Sequence, residues 1–149
     1  MVNVSSFITD VLSFIKSDLS SNITDPISSK RDSNSRFIAT SYPEINVEYP
    51  MITIKVTNQE ASRAGMQTTA MDVFVTLELR IWAKDQKTKD SLFTDVYDRL
   101  RQIQFIASGS IENDIHDFAL LSANEVDEPG KGGIKSRIGQ FQYKFFNVN

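Results

Sequence analysis

The sequence predicts an α+β fold: a mixed or antiparallel sheet of about five strands with two main helices packed on one face, in the order α-β-β-β-α-β-β. Three observations predict it. Two segments repeat apolar residues at three- and four-residue steps, and others alternate apolar with polar residues. The strand-like segments also follow one another directly, without the crossover helices a parallel sheet needs. At 149 residues the chain suits one domain, residues 1–149.

The elements follow in order. Residues 5–19 place Phe7, Ile8, Val11, Leu12, Ile15 and Leu19 on one face of a helix and Asp10, Lys16 and Asp18 on the other. Ser5 or Ser6 suits its N-cap. Residues 20–35 are polar, serine-rich and interrupted by Pro26, which reads as a flexible surface connection. Residues 36–41 suit a first strand, left through a turn at Tyr42-Pro43. In Met51–Thr57, Ile52, Ile54 and Val56 alternate with Thr53, Lys55 and Thr57. Residues 69–83 continue the period of two, with Val73, Val75, Leu77, Leu79 and Ile81 on one side. Phe74, Glu78, Arg80 and Trp82 lie on the other, and these two strands are expected to pair as an antiparallel ribbon.

A second helix over Gln86–Phe105 turns Leu92, Phe93, Val96, Tyr97, Leu100 and Ile103 inward. Asp85 and Thr88 stand at its cap, and its charged face, Lys87, Lys89, Asp90, Asp95, Asp98, Arg99 and Arg101, with Asp95 and Arg99 at the supportive four-residue spacing, reads as solvated. Residues 117–124 make a fourth strand, Asp127–Gly133 a turn, and residues 136–147 a fifth strand.

Composition excludes several chemistries. There is no cysteine and one histidine, His116, so thiolate sites, disulfides and two-imidazole zinc sites are out of reach. A net charge of −3 argues against a dedicated duplex-DNA binder. No run approaches the roughly 20 apolar residues of a membrane helix, and the N-terminus lacks a signal-peptide pattern, so a soluble, non-secreted chain is expected. His116 sits among Glu112, Asp114 and Asp117, which would suit a metal or an oriented base only if chain neighbours pointed together. A surface turn before a strand fits better. Gly130-Lys131-Gly132-Gly133 lacks the strand–loop–helix setting of a phosphate loop and reads as a turn. Asp95 and Asp98 lie among basic residues, unlike a paired acid and base.

What remains are surfaces. Asn58 to Thr68 is longer than a hairpin needs and is a candidate arm, with Asn58, Gln59, Glu60, Arg63, Met66 and Gln67 as its contact residues. Arg80 and Trp82, on the polar side of the long strand, suit either an interface with another chain or cover by one of the helices. Phe145 and Phe146 raise the same question at the C-terminal strand.

The pattern spans nearly the whole chain: an N-terminal amphipathic helix, then Tyr49-Pro50-Met51-Ile52-Thr53-Ile54, a long loop, the strand Met71–Ala83, the helix Thr88–Phe105 and two closing strands. It resembles the tail terminator (tail completion) proteins of long-tailed phages and related viruses. The family has no diagnostic motif, so the resemblance lies in element order. It implies a non-enzymatic virion protein without a cofactor that forms a ring, usually a homohexamer, and caps the tail tube to stop its polymerisation. Implied partners are further copies of itself, the tail tube protein and a head–tail connector or neck protein. Genomic DNA would pass through the lumen without specific binding, and no membrane is involved. Such a protein is assembled in the host cytoplasm and resides in the tail or neck of the virion. On this reading the length and polarity of Ser20–Ser35 suit a surface that orders on assembly. Head–tail connector and neck completion proteins look similar at this level. Other readings are a small-ligand or enzymatic domain using the turn around His116, and a monomeric adaptor lending its C-terminal strand as an edge.

Overall fold

The computed structural model describes residues 7–43, 47–63, 65–66, 71–103, 115–127 and 133–148. Helix α1 (Phe7–Asn22) is followed by strands β1 (Ile38–Ala39), β2 (Met51–Arg63) and β3 (Met71–Ala83), helix α2 (Gln86–Ile103), and strands β4 (Ile115–Asp127) and β5 (Lys135–Val148). The five strands form one mixed sheet in the order β1-β2-β3-β5-β4. Among the described residues only the β1–β2 pair is parallel; β2–β3, β3–β5 and β5–β4 are antiparallel. Fold class and element order are those the sequence predicts.

Both helices pack on one face of the sheet. The alternation of β3 decides which: Val73, Val75, Leu77, Leu79 and Ile81 are all buried in the main core. They meet Val11, Ile15 and Leu19 of α1, spaced four residues apart, and Leu92, Val96, Leu100 and Ile103 of α2. Phe141, Tyr143 and Phe145 of β5 complete this core, and the Tyr143 hydroxyl donates to the Leu100 carbonyl. Phe145 therefore faces inward; the side chain of Phe146 lies outside the described residues. Asp85 caps α2, its Oδ2 accepting the Thr88 amide at 2.9 Å.

Several expectations need correction. The stretch Asn58–Arg63 is strand, not loop: it stays in register with Thr76–Met71 beyond a bulge between Val56 and Asn58. Backbone pairing to a long partner strand overrides the polar sequence of that half. The first strand shrinks to Ile38–Ala39, because only those residues reach the β2 edge. Strand β4 begins at Ile115, so His116 belongs to a strand rather than a turn; its side chain lies outside the described residues, as do residues 128–132 of the glycine-rich turn. Gly133, at the described end of that turn, has φ +81°, the left-handed region that glycine enters without strain.

The polar segment after α1 is also built rather than loose. Residues 20–22 extend the helix, and Ile23 is buried. Arg31, with its side chain 7% exposed, then ties the segment together. It holds Asp25 through Nε to Oδ2 at 2.5 Å and through a second nitrogen to Oδ1 at 3.0 Å. It also donates to the carbonyls of Pro50 at 2.5 Å and Glu48 at 3.1 Å. Burial alone would raise the Asp25 carboxyl, but Arg31 and the Ile27 amide outweigh it and hold the carboxyl below its ordinary value. A bidentate guanidinium thus replaces the apolar packing the segment lacks.

Lys89, read as solvated, is buried, because residues 89, 92, 96, 100 and 103 form one stripe of α2. Its whole side chain is buried, and its Nζ pairs with Glu125 of β4 at 2.5 Å and with Asp90 at 3.6 Å. Arg99 likewise leaves its neighbour Asp95 for Asp18 of α1, in a two-point pair at 2.8 and 2.6 Å that joins the helices.

Candidate functional site

The features left without a structural task inside the chain lie at the borders of the sheet. Asn58, Gln59, Glu60 and Arg63 occupy the far half of β2, and Met66 stands in the turn after it; Gln67 lies outside the described residues. Glu60 pairs in register with Phe74, and Asn58 with Thr76, on the face opposite the helices. Of this half only Gln59 is partly buried, and Met66 is 93% exposed. The candidate arm is therefore the end of a β-hairpin, stiffened by β3 and, across β3, by β5 as far as Val148.

Arg80 and Trp82 do not join that arm. They pair with Thr53 and Met51 at the other end of β2, roughly 35 Å along the strand from Arg63. Trp82 is 5% exposed, and neither helix covers it. Its cover is the segment before β2: Tyr42 at 4.9 Å between ring centroids, with Val47 and Tyr49 packed on the same small cluster as Met51 and Ile134. The Tyr42 and Tyr49 hydroxyls are hydrogen-bonded, and burial together with that bond pushes the Tyr49 phenol up to about 12. The Arg80 guanidinium lies 3.9 Å over the Trp82 ring and reaches Ser136 Oγ at 3.1 Å. Burial lowers its pKa from the ordinary value, opposed by nearby Glu78. The cleft at this end, about 310 Å³ and bordered by Thr40, Lys55, Glu78 and Arg80, has one wall of stacked aromatic and guanidinium groups. This explains why sequence alone left the cover of Trp82 open: its partners come from a turn-rich segment with no periodicity.

The face away from the helices carries Lys55 opposite Glu78 at 3.6 Å, and Lys144 lying 5.3 Å over the Phe74 ring and 3.4 Å from Asp117. These charges alternate in sign across the sheet, and the Lys55–Glu78 pair stands at the border of the cleft beside Trp82. Among the described residues, no three histidine, aspartate or glutamate side chains gather as a metal site.

The sequence reading missed the second border. The C-terminal strand is not an edge, because β5 lies between β3 and β4; the edge is β4. Its outer side has no strand partner among the described residues, and it carries Leu120 at 39% and Leu121 at 51% exposure. The run Phe118-Ala119-Leu120-Leu121 breaks strict alternation, a signal for the register shifts found at His116/Ala119 and Leu120/Ser122. Asp117, with φ 47°, adopts the left-handed conformation at the first shift. On the opposite border β1 covers β2 only at Ile52 and Thr53, so the β2 edge is open from Ile54 to Arg63 among the described residues.

No protein-family model matches the sequence. No curated protein matches it either. Among solved structures, the fold is similar to a chain of the "Virion of native gene transfer agent (GTA) particle", with 9% identity and a TM-score of 0.42, covering 89% of this chain and 91% of that one. A likeness of that size bears on neither family nor role.

Proposed function

We propose that the chain is a virion structural protein that forms a ring at the end of the tail tube: a tail terminator that stops tube polymerisation and offers the surface on which the head or neck docks. In this reading residues 1–149 act as one non-enzymatic domain needing no cofactor. Its partners are other copies of itself, six in the ring as the family resemblance implies, then the tube protein and a head–tail connector or neck protein. Genomic DNA passes through the lumen without specific contacts. The protein acts in the tail or neck of the virion after assembly in the host cytoplasm.

One observation carries the reading. The sheet is open on both lateral borders, at the far half of β2 and along β4, among the described residues. A ring needs two different, mutually complementary patches on opposite sides of one subunit; a symmetric dimer needs only one. The exposed hairpin end, Asn58–Arg63 with Met66, supplies a stiff projection for the tube or a neighbour.

The test is tube growth. Purified protein added to polymerising tail tubes should halt elongation and leave a ring at the tube end, and deletion of residues 63–67 should abolish capping. Tubes that grow to the same length with and without the protein would sink the proposal.

A further inference from the structure

The three large apolar side chains that stand exposed among the described residues are Met66, Leu120 and Leu121. They lie on opposite borders of one sheet: Met66 at the β2–β3 turn, the leucines on β4. Each border also carries an uninterrupted run of pairing beside a register shift, Asn58–Arg63 on β2 and Ser122–Asp127 on β4. The two runs are equal in length.

From this juxtaposition we infer that the Ser122–Asp127 edge of one subunit pairs antiparallel with the Asn58–Arg63 edge of the next copy, joining their sheets across the subunit boundary. The inference rests on the ring reading and specifies its lateral contact. Direction follows from topology. Three antiparallel steps separate β2 from β4, so the two strands run oppositely. Rotation about an axis roughly parallel to the strands keeps strand direction, and thus brings β4 antiparallel to the neighbour's β2.

The pleat then limits the register. Ser62 and Asn58 are on the face opposite the helices, paired with Asp72 and Thr76. Ser122 and Val126 are on that same face, paired with Gln140 and Ser136. Matching faces allows only registers that differ by two residues, and the one that also brings Leu120 and Leu121 to the end of the hairpin sets Ser62 against Ser122 and Asn58 against Val126. Leu121 then falls beside Arg63, and Leu120 beside the turn that carries Met66. One register therefore covers all three of these apolar side chains and fills both edges left without a strand partner among the described residues. Charge permits it: Asp117 and Glu125 are already paired with Lys144 and Lys89, and this register sets Glu60 against Asn124 and Arg63 against Leu121, so no like charges face each other.

The chain has no cysteine, so a disulfide can report this contact. Within one chain β2 and β4 are three strand intervals apart, roughly 14 Å, too far for a disulfide. In the full chain carrying both Ser62→Cys and Ser122→Cys, mild oxidation should give a ladder of covalent oligomers ending at the ring size. Mixing the two single variants should give a cross-linked pair holding one of each and nothing larger. Rings seen by electron microscopy without that ladder would overturn the edge pairing while leaving the ring reading standing. Cross-linking of Ser122→Cys with itself would overturn it in favour of a symmetric β4–β4 contact. A ladder without closed rings would support the edge pairing and count against the terminator reading. Leu121→Lys is the independent check: circular dichroism and melting temperature should match the parent, and oligomers should be lost; oligomers that persist would overturn the inference.

Discussion

Replacing Arg31 by alanine asks whether the segment between α1 and β2 is as firmly built as its hydrogen bonds imply. The side chain makes a two-point pair with Asp25 and donates to Ser35 Oγ at 3.2 Å, to the Glu48 carbonyl at 3.1 Å and to the Pro50 carbonyl at 2.5 Å. Its guanidinium also lies 5.4 Å over the Phe37 ring. Alanine would leave the Asp25 carboxylate with the Ile27 amide at 3.0 Å, and two backbone carbonyls without this donor. Removing one partner of a buried pair costs about 3–5 kcal/mol, and the partly wet rim around Asp25 favours the lower end. At a urea dependence of about 2 kcal/mol/M, a loss of about 3 kcal/mol moves the unfolding midpoint down by about 1.5 M. Trp82 is the sole tryptophan and is covered by this segment, so its emission reports the same event and should shift to the red at low urea.

The pH dependence gives that prediction a second arm. Asp25 is depressed below 3.8 in the fold, so its contribution is present above that value and lost as pH falls through the lower folded pKa. In Arg31→Ala the dominant burial effect acts with only the Ile27 amide against it, so the acid limb should move to higher pH. Arg31→Lys should recover only part of the loss, because an ammonium cannot span both carboxylate oxygens and two carbonyls. A midpoint within about 0.3 M of the parent, with unchanged Trp82 emission and acid limb, would refute the reasoning.

Three further outcomes follow. Tyr143→Phe removes a buried hydroxyl that donates to the Leu100 carbonyl and should cost about 1–2 kcal/mol by urea unfolding. Burial raises the Tyr143 phenol well above 10.0, so its contribution is whole below pH 10 and is lost as pH rises toward the folded value; an alkaline limb unchanged in the variant would contradict this. Gly139→Ala would place a Cβ 2.7 Å from Phe141 Cε2 and 2.8 Å from Phe93 Cε2, and should destabilise by about 1–3 kcal/mol in calorimetry. Arg63→Glu combined with Met66→Ser should leave subunit stability within about 0.5 kcal/mol yet abolish tube capping; a large loss of melting temperature would show a role inside the fold instead.

The legible part of this fold was the part written in periodicity. Val73 through Ile81 announce a half-buried strand, and the i, i+4 spacing in both helices announces their common cover. What escaped has no period. Asn58–Arg63 is strand because β3 offers it a backbone ladder, not because its side chains ask for one. Arg31 reads as a loop charge until the carbonyls of Glu48 and Pro50, distant in sequence, arrive at its fork. Lys89 reads as solvated until its stem is seen to continue the Leu92–Ile103 stripe. The candidate contacts split for a related reason: Arg80 and Trp82 are close in sequence to the arm but paired to the opposite end of β2. Strand order cannot be read from chain order, which is how the edge came to be placed on the C-terminal strand when it belongs to β4.

The ring itself is the central claim, and native mass spectrometry across a concentration series, with negative-stain images of the same samples and of samples mixed with tail tubes, tests it most directly. The expected result is a closed ring of one mass, six subunits by the family resemblance, free in solution or seated on tube ends. A monomer at every concentration, with bare tube ends after mixing, would contradict it.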